Sequence, residues 1–339
     1  MSMSEFLSDY GLFLAKTATA VIAFGVVIAM LAALPRRGRR QAPDHLEVTH
    51  LNEKYRKLAE ALRTAVLPKK AAKGVLKSDK TRRKRQEKQA AKAEAPVRKR
   101  IFVIDFHGDI RATGVGSLRE EVSAVLAEAG EGDEVVVRLE NAGGLVHEHG
   151  LAASQLARFR ARAIALTVAV DKVAASGGYL MACVADRIIA APFAIVGSIG
   201  VLAQLPNFHR LLDQHGVDFE QVKAGEYKRT LTMFGTNTDA DRAKMQEQVD
   251  ETHQLFKDFV GEFRPSLDLN RVATGEYWHG RQAIDLGLVD ELITSDDYLI
   301  GAGETADLYR VKYTVKKSMS ERIIGSLQRA AESVLFNRP

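Results

Sequence analysis

Residues 17–34, TATAVIAFGVVIAMLAAL, form an unbroken run of eighteen uncharged, mostly apolar residues. About 20 such residues cross the hydrocarbon core of a bilayer as a helix, so the run predicts a membrane anchor within an N-terminal segment 1–35. A cleaved leader opens with a basic stretch, whereas Glu5 and Asp9 make this one acidic, and the anchor is expected to be retained. Arg36, Arg37, Arg39 and Arg40 follow at once. Such clusters favour the cytoplasmic side, which places the rest of a single-pass chain in the cytoplasm.

Past the anchor the pattern becomes helical. Leu46, Leu51, Tyr55, Leu58, Leu62 and Val66 predict an amphipathic helix over 46–66. Residues 68–100 carry little to bury and predict a flexible or helical tether, so 36–100 reads as helix plus tether. From Ile101 the period alternates. Strands are predicted at 101–106, 134–139 and 163–170. Helices are predicted at 118–129, with Ser117 and Glu120 as a capping box, and at 147–160 and 178–184. Strand–helix alternation argues for an α/β domain, 101–300, on a largely parallel sheet. The stretch 188–205 is apolar enough to suggest a second span, but Pro192, Gly197 and Gly200 punctuate it, and buried strands and turns are expected there. A long helix is predicted at 239–263. Residues 301–339 form a C-terminal extension, helical from about 318.

Composition refines this picture in two places. The chain of 339 residues has a net charge of +5. Residues 69–100 hold fourteen Lys or Arg against three acids, a charge of +11, so the remainder is at −6. Basicity is therefore local. No aromatic residues interleave these charges, so nucleic acid is not an expected partner; anionic lipid beside an anchor fits better. The one cysteine, Cys183, rules out an intramolecular disulfide and a cysteine-cluster metal site.

Candidate chemistry centres on Ser176 in Ala174-Ala175-Ser176-Gly177-Gly178-Tyr179. A serine hydroxyl needs a base to become a nucleophile. The plausible base is Lys228, fifty-two residues on; Lys223 competes for the role. A lysine amine is a base only when neutral, so Lys228 can serve only where burial or a nearby cation lowers its proton affinity. Ser198 is placed to hold the amine. An oxyanion needs backbone N–H donors, which glycines expose. Gly177 is one candidate, and Gly143 or Gly144 of Asn141-Ala142-Gly143-Gly144 the other. Read singly, these residues have plain roles: an N-cap serine, a solvated lysine, tight turns. His147, Glu148 and His149 suggest a metal only weakly, because more converging ligands are needed, and Gly114-Val115-Gly116 lacks a third glycine for a dinucleotide. Neither metal nor cofactor is expected.

Taken together, 141–144, 174–179, 197–200, 223–229 and Trp278–Asp290 resemble the signal peptide peptidase A family of serine peptidases, family S49. The resemblance is close over 100–295 and loose over the whole chain. It implies a ClpP/crotonase-like fold of ββα units, a Ser176–Lys228 dyad, an oxyanion hole from Gly177 with Gly143 or Gly144, and Ser198 as support for the lysine. It also implies a ring-forming homo-oligomer in the bacterial inner membrane that cleaves peptides or loose membrane-protein segments. Where relatives commonly read Ser-Pro-Gly-Gly, this chain reads Asn141-Ala142-Gly143-Gly144, which softens the turn. Two other functions share parts of the pattern: a crotonase-like acyl-CoA enzyme, which needs no dyad or anchor, and a catalytically silent membrane scaffold.

Overall fold

The computed structural model describes residues 3–33, 44–92 and 98–315. The chain divides into two compact units, 1–45 with 314–339, and Leu46–Tyr313. In the first unit a helix runs over Met3–Ala33. Among the described residues no helix is long and apolar enough to cross a membrane. The expected anchor at 17–34 runs past Gly25, the last position of this helix whose side chain is described, and so lies partly outside the described residues. The helix expected from about 318 lies outside them entirely.

In the described residues ten strands form: β1 (His45–His50), β2 (Arg100–His107), β3 (Glu134–Glu140), β4 (Ala165–Val170), β5 (Val173–Ala175), β6 (Arg187–Ala190), β7 (Ile195–Gly197), β8 (Tyr277–His279), β9 (Glu291–Leu292) and β10 (Asp307–Thr314). Seven make one sheet in the order β1-β10-β2-β3-β4-β6-β9. From β10 to β9 every pairing is parallel. The expected α/β architecture is what is observed. β2, β3 and β4 read as continuous apolar runs because both faces of a parallel sheet are covered. Their alternate residues split between two clusters. Phe102, Ile104, Val135, Val137, Leu166 and Val168 pack with Leu118, Val122, Leu156, Phe159, Phe256 and Val260 from helices Val115–Glu128, Val146–Ala161 and Asp239–Phe263. Ile101, Val103, Val136 and Ala169 pack on the opposite face with Leu51 and Leu299. A second sheet, β5-β7-β8, carries the candidate chemistry.

Three sequence expectations shift. Residues 46–66 are not one helix: β1 takes 45–50, and the helix is Leu51–Val66. Leu51 is buried, and Asn52 Nδ2 donates to Gly303 O and Ala306 O, both at 3.0 Å, while Leu308 N–H donates to Asn52 Oδ1 at 2.7 Å. The compact unit thus reaches back before Ile101 and takes in β10 from the extension. The tether takes the helical of its two expected forms, over Lys69–Lys92, with Ala72 buried. Ser117 is not an N-cap. Asp109 Oδ1 accepts from the amides of Arg111 and Thr113, which closes a turn early, and the helix starts at Val115 after Gly114.

Glu121 is buried beneath the end of β10, where its Oε1 accepts from Tyr313 N–H at 2.8 Å. Burial, against that hydrogen bond and with Asp105 adding, pushes its carboxyl up to about 7. A carboxyl raised in the folded state favours folding below its unfolded value of about 4.3, and that contribution fades as pH rises toward the folded value. Glu121→Gln keeps an acceptor without the charge. It is expected to be near neutral at pH 5 and to stabilise by up to about 3 kcal/mol at pH 8, read by urea unfolding at both pH values.

Candidate active site

β5 ends at Ala175, and the chain turns into the buried helix Gly177–Ala182 through Ser176 at φ 52, ψ −120. That left-handed region is strained for a residue with a Cβ, at about 1–3 kcal/mol, and such strain concentrates at functional sites. β5 pairs with β7 in parallel, Ala175 opposite Gly197, and Ser176 N–H donates to Gly197 O at 2.8 Å. Ser198 therefore follows Gly197 one step past the same ladder, also left-handed at φ 51. Its Oγ is 3.4 Å from Gly275 O.

The turn after β3 is drawn onto this strand. Asn141 N–H donates to Val173 O at 2.9 Å, and Ala175 N–H donates to Asn141 O at 3.0 Å. Gly143, at φ 92, lies so close that a Cβ there would be 2.8 Å from Ser176 Cβ and 2.9 Å from Gly177 N. Gly144 lies against Ile110 instead, 2.1 Å from its carbonyl by the same construction. The Gly143 amide donates to Asn141 Oδ1 at 2.8 Å, whereas the Gly144 and Gly177 amides have no acceptor among the described residues. At Gly178 a Cβ would lie 2.1 Å from Asn141 O. Gly178→Ala is therefore expected to lower stability by about 1–3 kcal/mol and to remove activity, as checked by thermal unfolding and cleavage assays.

His149 was visible in the sequence only as a weak metal motif. The structure places it fully buried against Gly177, while His147 on the same helix is exposed beside Glu148. Helical spacing carried the signal, since His149 shares the buried face of Ala152, Ala153, Leu156 and Phe159. Asn141, also buried, was read only as a turn residue. Cys183 is packed in the core, and burial pushes its thiol up. Tyr179 Oη donates to Leu288 O at 3.0 Å and pins the helix behind Ser176.

Ser176, Gly177, Gly143 and Ser198 thus come together. Lys228 departs from expectation. It is exposed, on a segment without regular structure, with its amide donating to Gly225 O at 3.2 Å. No hydrogen bond joins it to Ser176 or Ser198 among the described residues. Lys223 Nζ reaches Arg229 O at 3.4 Å. The reason is local: 201–229 packs little on the core, and Leu202, Leu205, Val217, Val222 and Tyr227 are all exposed.

A serine at a strained strand-to-helix turn, followed by a glycine whose amide is unengaged among the described residues, is an arrangement that a serine hydrolase can use. The sequence matches the descriptions "Peptidase family S49 N-terminal" over residues 5–156 and "Peptidase family S49" over 158–308, and the chain belongs to peptidase family S49. It is 43% identical to "Probable protease SohB" of Haemophilus influenzae over 340 residues, covering 98% of this chain and 96% of that protein. It is 54% identical to the "Probable protease SohB" of Buchnera aphidicola subsp. Acyrthosiphon pisum over 230 residues, 68% of each chain. Among solved structures, a lysine-to-alanine mutant of the 1510-N membrane-bound stomatin-specific protease with a substrate peptide is similar at a TM-score of 0.43 and 9% identity, covering 69% of this chain and 100% of that one. That likeness is loose, and the family assignment does not depend on it.

Proposed function

We propose that this chain is a membrane-anchored serine endopeptidase with a Ser176–Lys228 dyad. The observation that carries the reading is the strained Ser176 turn beside the unengaged Gly177 amide, in a member of a peptidase family. Neutral Lys228 takes the Ser176 proton as Oγ attacks the peptide carbonyl. The tetrahedral oxyanion accepts from Gly177 N–H and from the Gly143–Gly144 turn beside it, where the Gly144 amide, unlike that of Gly143, has no acceptor among the described residues. Collapse expels the amine, protonated by Lys228, and water releases the acyl-enzyme. Ser198 orients the amine. No metal or nucleotide enters these steps.

Exposure of Lys228 and of the apolar side chains around it supports a homo-oligomer in which this segment is covered, desolvating the amine. The ββα reading of the fold agrees with the parallel sheet and the paired β5 and β7. Substrates are extended peptides or loose membrane-protein segments. The apolar run at 17–34 and the arginines after it support an inner-membrane, single-pass chain with its catalytic unit in the cytoplasm. Treatment with a fluorophosphonate probe followed by peptide mass spectrometry is expected to give one adduct, on Ser176. An adduct on another serine that abolishes activity would reassign the nucleophile.

A further inference from the structure

We propose that His149 is a positioning residue of the oxyanion hole, fixing both chain segments that supply its donors. This rests on reading Ser176 as nucleophile with Gly177 and Gly144 as donors. The helix face that carries His149 is otherwise apolar and fully covered. An imidazole there costs stability unless its N–H is hydrogen-bonded. Each nitrogen faces an acceptor, Nδ1 at 2.9 Å from Leu145 O and Nε2 at 3.2 Å from Asn141 Oδ1; a neutral ring has one N–H, and in the Nε2–H tautomer it donates to Asn141 Oδ1.

Asn141 is the link to the glycine turn. Its Oδ1 also accepts the Gly143 amide at 2.8 Å, and its Nδ2 donates to Met181 Sδ at 3.3 Å. The side chain is thus held from three directions, with the backbone of residues 142–144 hung from it. The other side of the imidazole meets Gly177, where a Cβ would lie 2.4 Å from His149 Cγ and 2.7 Å from Cδ2. One ring therefore buttresses the Gly177 amide by contact and the 141–144 turn through a hydrogen bond. A phenylalanine would fill the same space. It would not supply the N–H that anchors Asn141 Oδ1, and the turn would relax.

Misplacing a reacting group by about 1 Å costs roughly 10²-fold in rate, and losing one oxyanion donor outright costs about 10²–10³-fold. His149→Phe, which loosens a donor without deleting it, is expected to lower kcat by about 10–100-fold with KM within about two-fold. The test uses the full chain with fluorescein-labelled casein as substrate. His149→Gln, whose amide N–H reaches where Nε2 does, is expected to recover most of the loss. His149→Phe combined with Asn141→Ala is expected to be no worse than Asn141→Ala alone. The proposal is overturned if His149→Phe keeps kcat within two-fold of wild type. It is also overturned if the Phe and Gln variants lose activity equally and in step with folded fraction, the mark of a purely structural role. Should the Phe variant fail to fold, His149→Gln and Asn141→Ala decide it: a fall in kcat at constant KM for Asn141→Ala, with His149→Gln near wild type, supports the proposal, and unchanged kcat for Asn141→Ala overturns it. Cleavage surviving in Ser176→Ala would instead remove the underlying reading of the nucleophile.

Discussion

Ser176→Ala is expected to remove peptide cleavage by at least about 10⁴-fold, since loss of the nucleophile leaves only the residual effect of binding and the oxyanion hole. The protein should still fold. Among the described residues no hydrogen bond depends on the Ser176 hydroxyl; the residue is held by its backbone, through Gly197 O and Leu180 N–H. Glycine gives a sharper result. It occupies φ 52 without the Cβ penalty, so Ser176→Gly should be as inactive as Ser176→Ala and more stable than it by about 1 kcal/mol. Thermal unfolding of the two purified variants beside a cleavage assay reads both effects. Equal melting temperatures would mean that the turn stores no strain.

Lys228→Ala is expected to lower kcat by about 10³-fold or more, the scale of losing a base that activates the nucleophile. Lys228→Arg should not rescue it, because a guanidinium keeps its proton in proteins, and Lys223→Ala should stay within about two-fold of wild type. Because Lys228 is exposed on the single chain, the amine needs covering to become a base. Specific activity should therefore fall on dilution in parallel with loss of the assembled species, followed by size-exclusion chromatography. A Lys228→Arg enzyme with full kcat would place the proton acceptor elsewhere, and activity independent of dilution through disassembly would put the desolvation within one chain.

Much of the architecture was legible in the chain. The runs at 101–106 and 134–139 named the centre of the sheet because parallel strands bury both faces, and the helix expected over 239–263 is the one observed, its start held by Thr238 with Asp241 in the reciprocal position. What was hidden was long-range. Nothing local in 46–50 distinguishes an edge strand from the first turn of a helix; the choice is made by a sheet edge some 260 residues away in sequence, through Asn52 and Leu308. At the site, Ser176 and its glycines were readable because backbone geometry selects small residues. His149 was not, since its meaning lies in contacts with Asn141 and Gly177 that helical periodicity can bury but not name. Lys228 was readable as a residue type, but the exposure of its segment was not.

The matched turns at Ser176 and Ser198 set the tolerance of this site to change. Their spacing is dictated by main-chain pairing between β5 and β7, so neighbouring core side chains can vary in size without moving one serine relative to the other. Length is a different matter. One residue added within β7, between Ile195 and Gly197, would shift Gly197 by a single position against Ala175 and turn the side chains beyond it to the opposite face. The site should therefore accept substitution around it readily and accept insertion beneath it hardly at all.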